Sequence, residues 1–355
     1  MKLLNPGPVS LTARVRGVLS EVDLCHREPE FAELVREVVS RLGGVYPEAS
    51  SAFVPVLLTG SGTAAVEAMI GSLIGRATKS LVLANGVYGE RIVAMLEAQS
   101  KAFELVQSPW DVGIDLDRAA LALKAGRIGA VLAVHHETTT GRLNAVAELG
   151  TMCREVGVPL YLDAISSFGG EDIRFDDWNL EACAATANKC LHGAPGVSFV
   201  LARRTAFEAR PGPATSVYLD LYRYEREQRE GYSPFTQAVH VLRALREALA
   251  ELEETGGWEA RHARYSALSD GIREHLGQLG VAPFLEANRS AVLTAYRLPA
   301  GVHYALLHDR LKARGFVIYA GQGALASKIF RIAVMGDLTD ADVSRLAEAL
   351  AESLR

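Results

Sequence analysis

Residues 53–75 read FVPVLLTGSGTAAVEAMIGSLIG, and the succession of residue types in that stretch sets the class of fold to expect. Phe53 to Thr59 is apolar almost without interruption and has the length of a strand, a pattern that suits a strand covered on both faces. Gly60-Ser61-Gly62-Thr63 follows as a turn of small residues, and AAVEAMIGSLIG after it carries helical spacing. The same strand-then-helix rhythm returns at SLVLAN from Ser80, GAVLAVHH from Gly129, VPLYLDA from Val158, LEACAATA from Leu180 and VSFVLA from Val197. Helices between consecutive strands supply the crossovers that parallel pairing needs, so the expectation is an α/β fold with a mainly parallel central sheet.

Working outward, the rhythm breaks between Arg203 and Pro234, where PGPATSVYLDLYRYEREQREGYSP shows no clear period and reads as a surface excursion. From Phe235 a long helix is expected, because Val241, Leu242, Leu245, Leu249 and Leu252 form one apolar stripe and Gly256-Gly257 gives a stop. Beyond it, helix-like ARHARYSALSDGIREHLGQLG, strand-like SAVLTAYRL, helical HYALLHDRLKARG, the strand candidates FVIYA and KIFRIAVM, and a closing helix from Asp340 suggest a smaller α+β domain. The expected division is an N-terminal segment 1–15 packed near the active site or small domain, a large domain 16–234, and a linking helix with small domain over 235–355.

The chain has 355 residues, enough for about two domains at ~150 residues each. With 49% hydrophobic and 22% charged residues it falls outside the collagen, disordered and coiled-coil classes. The 37 basic and 42 acidic residues leave a net charge of −5, without a basic run dense enough to mark a nucleic-acid or anionic-lipid partner. Cys25, Cys153, Cys183 and Cys190 have no CxxC spacing, and MKLLNPGPVS lacks the apolar core of a signal peptide, so a reducing cytoplasm is expected. No stretch approaches the ~20 apolar residues of a membrane span; AMIGSLIG is cut off by Arg76 and Lys79.

Three features carry chemistry. The turn Gly60–Thr63 opens a helix, where unpaired N–H groups, the positive end of the helix dipole and two hydroxyls suit a phosphate; plain helix capping is the alternative. It lacks the ending of a P-loop and the GxGxxG of a dinucleotide site. Asp163 ends VPLYLDA, at the strand edge where open α/β sheets bind ligands; an N-cap is the alternative. Lys189, in TANKCLHGAPG, stands between a strand candidate and a glycine-rich turn, where partial burial lowers an amine toward nucleophilic use; a solvated charge is the alternative. Together they match the needs of pyridoxal 5'-phosphate: an amine to carry it, a carboxylate to keep its ring nitrogen protonated, and a phosphate cradle. His135 and His136 raise a metal reading, which is rejected because adjacent strand residues point to opposite faces and no carboxylate or cysteine spacing completes a site.

These motifs, with LLNPGPV from Leu3, LVLANGVYGER from Leu81, HHETTTGRLN from His135, YLDAISSFGGEDI from Tyr161, YLDLY from Tyr218, RGFVIYAGQG and FRIAVMGDL, resemble the class V (fold type I) aminotransferases almost end to end. Within that class the resemblance is strongest to the branch acting on 2-aminoethylphosphonate and pyruvate. It implies a transaminase with an amine donor and a keto-acid acceptor. Lys189 matches the cofactor-bearing lysine and Asp163 the partner of the ring nitrogen. Ser61, Gly62 and Thr63 match the phosphate turn, Tyr88 the aromatic residue stacked on the ring, and Thr138 and Asn188 positions beside the cofactor. Thr236 matches a residue reaching the neighbouring subunit's cofactor phosphate, which implies a homodimer with shared sites. Arg331 matches the arginine that grips the substrate's acid group, against the plain alternative of an arginine snorkelling to solvent.

One stretch departs from the phosphonate branch. DLCHREPEF, Asp23 to Phe31, is more like alanine- or serine-glyoxylate aminotransferases, and His26-Arg27-Glu28 reads as a cation source at the site mouth or as a surface salt-bridge cluster. Two other classes are weighed: a cofactor-dependent lyase acting on a substituted aminoethylphosphonate, and a non-catalytic regulator, which is expected to carry an added basic DNA-binding domain. A cysteine desulfurase is disfavoured because the last cysteine, Cys190, adjoins the lysine instead of lying on a later loop.

Overall fold

A computed structural model describes residues 1–210 and 212–354. Phe53–Thr59 (β1), Ser80–Ala84 (β2), Phe103–Gln107 (β3), Ala130–Val134 (β4), Leu160–Asp163 (β5), Leu180–Thr186 (β6) and Val197–Arg203 (β7) form one sheet in the order β1-β7-β6-β5-β4-β2-β3. Pairing from β3 across to β6 is parallel, whereas β7 runs antiparallel to both β6 and β1. The reversal follows from the connection: loop 187–196 joins β6 to β7 with no helix, and a parallel return needs a crossover. The α/β architecture with a mainly parallel sheet is therefore the one the strand-helix rhythm predicts.

The helices are Pro29–Gly44 (α1), Gly62–Leu73 (α2), Val87–Ala98 (α3), Leu116–Lys124 (α4), Val146–Val156 (α5), Leu221–Arg229 (α6), Val239–Glu254 (α7), Gly257–Gln278 (α8), Tyr304–Ala313 (α9) and Asp340–Ser353 (α10). Strand side chains alternate between two cores. Leu57, Leu81, Leu83, Val131, Leu160 and Leu162 pack with α1, α4, α5 and α7, while Val56, Leu58, Val82, Leu132 and Tyr161 pack with α2, α3 and α6. This is the physical content of a near-continuous apolar run: both faces of the pleat are buried.

Two segments differ from the sequence reading. The strand β3, FELVQ, was not among the apolar runs; it lies at the sheet edge, only partly buried, and Glu104 there pairs with Lys79 at 2.7 Å. Charge on an edge strand discourages pairing with another chain and also hides the strand from a hydrophobicity reading. The supposed surface excursion contains α6, whose Leu221, Tyr224, Glu225 and Gln228 are buried. The Gln228 amide donates to the Pro55 carbonyl at 2.5 Å and accepts the Leu57 N–H at 2.9 Å, closing polar groups along β1. Half of that buried face is polar, so no apolar stripe announces the helix. Pro211, where the excursion begins, lies outside the described residues.

Leu242, Leu245, Leu249 and Leu252 of α7 sit in the core beneath the large sheet, as does Trp258 at the start of α8. Gly256, at φ +97°, makes the turn between the two helices. Further along α8, Tyr265, Leu268, Ile272 and Leu276 enter a separate core. It is shared with α9, α10 and a small antiparallel sheet in which Ile329–Ala333 (β10) lies between Leu293–Arg297 (β8) and Tyr319–Ala320 (β9). The N-terminus joins this second body: Lys2–Leu3 pairs in parallel with Phe316–Val317, and Leu4 and Val9 are buried in its core. Among the described residues no helix is long and apolar enough to cross a membrane.

Candidate active site

The flagged residues gather at the carboxyl edge of the large sheet. Asp163 is the last residue of β5, Lys189 lies in the loop after β6, Tyr88 follows β2, the Gly60–Thr63 turn follows β1, and Thr138 lies in a short hairpin after β4. A small cavity there is lined by Thr63, Tyr88, Arg91, Asp163 and Ile165, among others.

Asp163 is 7% exposed and accepts the Ile165 N–H at 3.0 Å. Burial pushes its carboxyl up to about 6, opposed by that hydrogen bond and by the charges of Arg91 and Lys189. Lys189 is held down to about 8, chiefly by burial, with Arg331 and Arg91 adding repulsion and Asp163 opposing it. Its ammonium donates to the Pro6 carbonyl, and a Cβ on Gly7 would lie 2.6 Å from Lys189 Cδ, so the N-terminal segment closes directly over the lysine.

Ser61 is the N-cap of α2 and makes no side-chain capping bond, which leaves the first N–H groups of the helix without a hydroxyl partner from it. A Cβ on Gly62 would lie 2.6 Å from Ile165 Cδ1, so only glycine lets the turn approach the end of β5 this closely. Arg91 donates to the Thr63 hydroxyl at 3.3 Å and its guanidinium lies 4.7 Å from the centroid of the Tyr88 ring. Tyr88 and Arg91, one turn apart on α3, thus present a ring face and a cation beside the phosphate turn.

Thr138 is fully buried and its hydroxyl has no partner among the described residues, while its carbonyl accepts from Arg331 Nη1 at 2.8 Å. Arg331 on β10 is 1% exposed, also donates to the Ala320 carbonyl at 2.9 Å, and lies 5.5 Å from the Tyr319 ring centroid. It does not snorkel to solvent; burial lowers its pKa, and a cation held in this way favours an anionic ligand. Asn188 is held through its Oδ1 by the Thr186 hydroxyl at 2.9 Å. Thr236 is exposed and does not line the cavity; its neighbours Gln237 and Ala238 bond the Thr59 hydroxyl, at the entrance to the phosphate turn.

Both histidines expected on opposite faces are buried. The His136 ring bonds the Ser166 carbonyl at 2.9 Å, and His135 packs edge-on to Trp178 with its pKa driven down to about 4 by burial. Arg27 forms no surface salt-bridge cluster with Glu28; it donates to the Ser233 carbonyl at 3.0 Å, bracing the segment that leads to Thr236. The sequence reading missed Arg91 and Glu137, although Arg91 stands three residues after Tyr88 in ANGVYGER and Glu137 immediately precedes Thr138. Glu137 is fully buried and accepts the N–H groups of Tyr88 and Gly89.

These residues fit pyridoxal 5'-phosphate: a buried amine of lowered basicity, a carboxylate at a strand end, a buried hydroxyl unpartnered among the described residues on the Thr138 that holds the arginine, and a glycine turn with a nearby cation. Comparison with known proteins agrees. A family model described as Aminotransferase class-V matches residues 30–346. A 2-aminoethylphosphonate–pyruvate transaminase of Bacillus cytotoxicus is 36% identical over 359 residues, covering 99% of this chain and 97% of that protein. One from Aeromonas hydrophila is 39% identical, with coverage of 99% and 94%. Among solved structures, an alanine–glyoxylate aminotransferase from Nostoc sp. superposes with a TM-score of 0.93 at 28% identity, covering 99% of this chain and 95% of that one.

Proposed function

The chain belongs to the class-V aminotransferases, which depend on pyridoxal 5'-phosphate, and on that footing we propose that it moves the amino group of 2-aminoethylphosphonate to pyruvate, giving phosphonoacetaldehyde and alanine. The observation that carries this reading is the convergence of Lys189 and Asp163 at one strand edge with a buried Arg331 contributed by the other body.

The cofactor, when bound, supplies an electron sink conjugated to the carbon that bears the amine. Lys189 Nζ would hold the cofactor. With the cofactor bound, Lys189 Nζ would be the group placed to move a proton at the amine-bearing carbon. A pKa near 8 lets the same nitrogen act as base and acid at neutral pH. Asp163, ionised above about 6, would keep the ring nitrogen protonated. Tyr88 would pack on the cofactor ring, the free Thr138 hydroxyl would be available to it, and Ser61, Gly62 and Thr63 would hold its phosphate. Asn188 flanks the lysine. Arg331 takes the phosphonate of the donor and then the carboxylate of pyruvate, since a planar guanidinium grips either acid with two hydrogen bonds.

A second copy of the chain completes the site in this reading. Thr236 is exposed and follows Phe235, whose ring packs on the exposed Tyr218, and it would reach the phosphate turn of the neighbouring subunit in a homodimer. The stretch Asp23 to Phe31 favours a second reading, transfer between alanine or serine and glyoxylate. A desulfurase is opposed further by Cys190, which is buried with its thiol pushed up to about 12.

The test follows the visible absorbance of the holoenzyme. 2-Aminoethylphosphonate should bleach the cofactor band and pyruvate should restore it, while Lys189→Ala should lack the band in its resting form. A cycle driven by alanine and glyoxylate but untouched by the phosphonate would replace the first reading with the second.

A further inference from the structure

Glu137 ends the two-residue strand His136–Glu137, which pairs with Arg142–Leu143, and its side chain is completely buried. One carboxylate oxygen accepts the N–H groups of Tyr88 and Gly89, at 3.2 and 3.3 Å. The other accepts the Thr139 N–H at 3.2 Å and the Thr139 hydroxyl at 2.5 Å. That hydroxyl in turn accepts the Val87 N–H at 3.1 Å. The first three N–H groups of α3, which no helix can satisfy internally, are therefore all met by residues 137 and 139. The approach is close: a Cβ on Gly86 would lie 2.3 Å from the Glu137 carboxyl carbon.

All four hydrogen bonds run toward the carboxylate, so an acceptor-only group fits and an amide does not. Burial pushes the Glu137 carboxyl up to about 7 against these bonds, and above that value its negative charge at the helix N-terminus adds electrostatic support. The elements tied together are those that recognise cofactor and substrate. The helix α3 presents Tyr88 and Arg91, and the latter reaches Thr63 of the phosphate turn. Thr138, between the two residues of the cap, holds Arg331 through its carbonyl.

We infer that Glu137 is a positioning residue, a single buried carboxylate that sets both the helix presenting Tyr88 and Arg91 and the turn whose Thr138 carbonyl orients Arg331. This rests on the cofactor reading above, and it adds a prediction that reading does not make: ring stacking and acid-group binding are adjusted by the same side chain. In Glu137→Gln one acceptor oxygen becomes an NH2 facing N–H donors, which pushes apart either α3 or the 138–139 turn.

The experiment titrates apoprotein with pyridoxal 5'-phosphate in the absence of substrate, and then measures kcat and KM for donor and acceptor separately. For Glu137→Gln the expected result is cofactor affinity weakened about tenfold, a shifted visible band, and KM for both acid substrates raised about tenfold, more than kcat falls. A helix cap with no part in positioning would lower the melting temperature and leave band and KM as in the wild type, and that result overturns the inference. Thr139→Val removes the hydroxyl shared by Glu137 and Val87 at little change in shape. It should move the same quantities in the same direction, with Thr139→Ser restoring them, so the inference is tested even if Glu137→Gln does not fold. If wild-type apoprotein takes up no cofactor, the functional reading has failed; if it does and both the Gln and Val variants match it, only this inference has.

Discussion

Asp163 and Lys189 are pulled toward one another on the pH scale by the same cause. Burial raises the carboxyl to about 6 and lowers the amine to about 8, so between those values the carboxyl is largely ionised and the amine, still mostly protonated, gives up its proton far more readily than an ordinary lysine. The raised carboxyl has a stability consequence. Between its ordinary 3.8 and about 6 the folded chain binds more protons than the unfolded one, so stability falls as pH rises through that window and the cost persists above it. Asp163→Asn should therefore stabilise the apoprotein at pH 7.5, by on the order of 2 kcal/mol, while abolishing most activity of the holoenzyme. Urea unfolding of the two apoproteins at pH 7.5 and pH 4 checks this: the difference should be large at the higher pH and small at the lower. At this scale the placement of Lys189 and Asp163 was legible because each stands at a strand end flanked by small residues. Glu137 and Arg91 were not, because their roles depend on what they bond across the sheet edge, which no local pattern records.

Among the elements, the turn between β1 and α2 shows how packing defines a ligand site. Gly62 approaches Ile165 at the end of β5, two residues after Asp163, so the Gly60–Thr63 turn and Asp163 are held in register by one contact. Gly62→Ala would put a methyl 2.6 Å from Ile165 Cδ1 and 2.9 Å from its Cγ2. The variant should fold with weakened cofactor binding, and Gly62→Ala with Ile165→Val, which removes Cδ1, should recover part of the loss; fluorescence titration with pyridoxal 5'-phosphate measures both. Equal weakening in the single and double variants would show that the contact is not what limits binding. The strands with apolar residues on both faces could be read directly, since their composition follows from double burial. The edge strand β3 and the helix α6 could not, because β3 is only partly buried and carries Glu104 and the exposed Gln107, and because α6 buries Glu225 and Gln228 as well as Leu221 and Tyr224. Gln228 matters there for its two bonds to β1, a pairing visible only once the fold brings residues 55–57 and 228 together.

At the scale of the molecule, two cores meet over the lysine. The large sheet supplies Asp163, Lys189 and the phosphate turn, and the smaller body supplies Arg331 and, through Lys2–Leu3 paired with Phe316–Val317, the strand that carries Pro6 and Gly7 onto Lys189. The net charge of −5 conceals this arrangement, because the cations that matter are buried: Arg331 is 1% exposed, and its positive charge is offset by no salt bridge among the described residues. An interior cation held by backbone carbonyls rather than by an ion pair favours an anionic ligand. The account stands or falls on which anion, and on where the nitrogen goes. The most direct measurement is a single turnover of holoenzyme with 2-aminoethylphosphonate followed by phosphorus NMR, with pyruvate then added and alanine and ammonia quantified. The account predicts conversion of the phosphonate to phosphonoacetaldehyde, in amounts matching the enzyme until pyruvate is present, and one alanine per aldehyde thereafter. Unchanged phosphonate, or ammonia released in place of alanine, would contradict it.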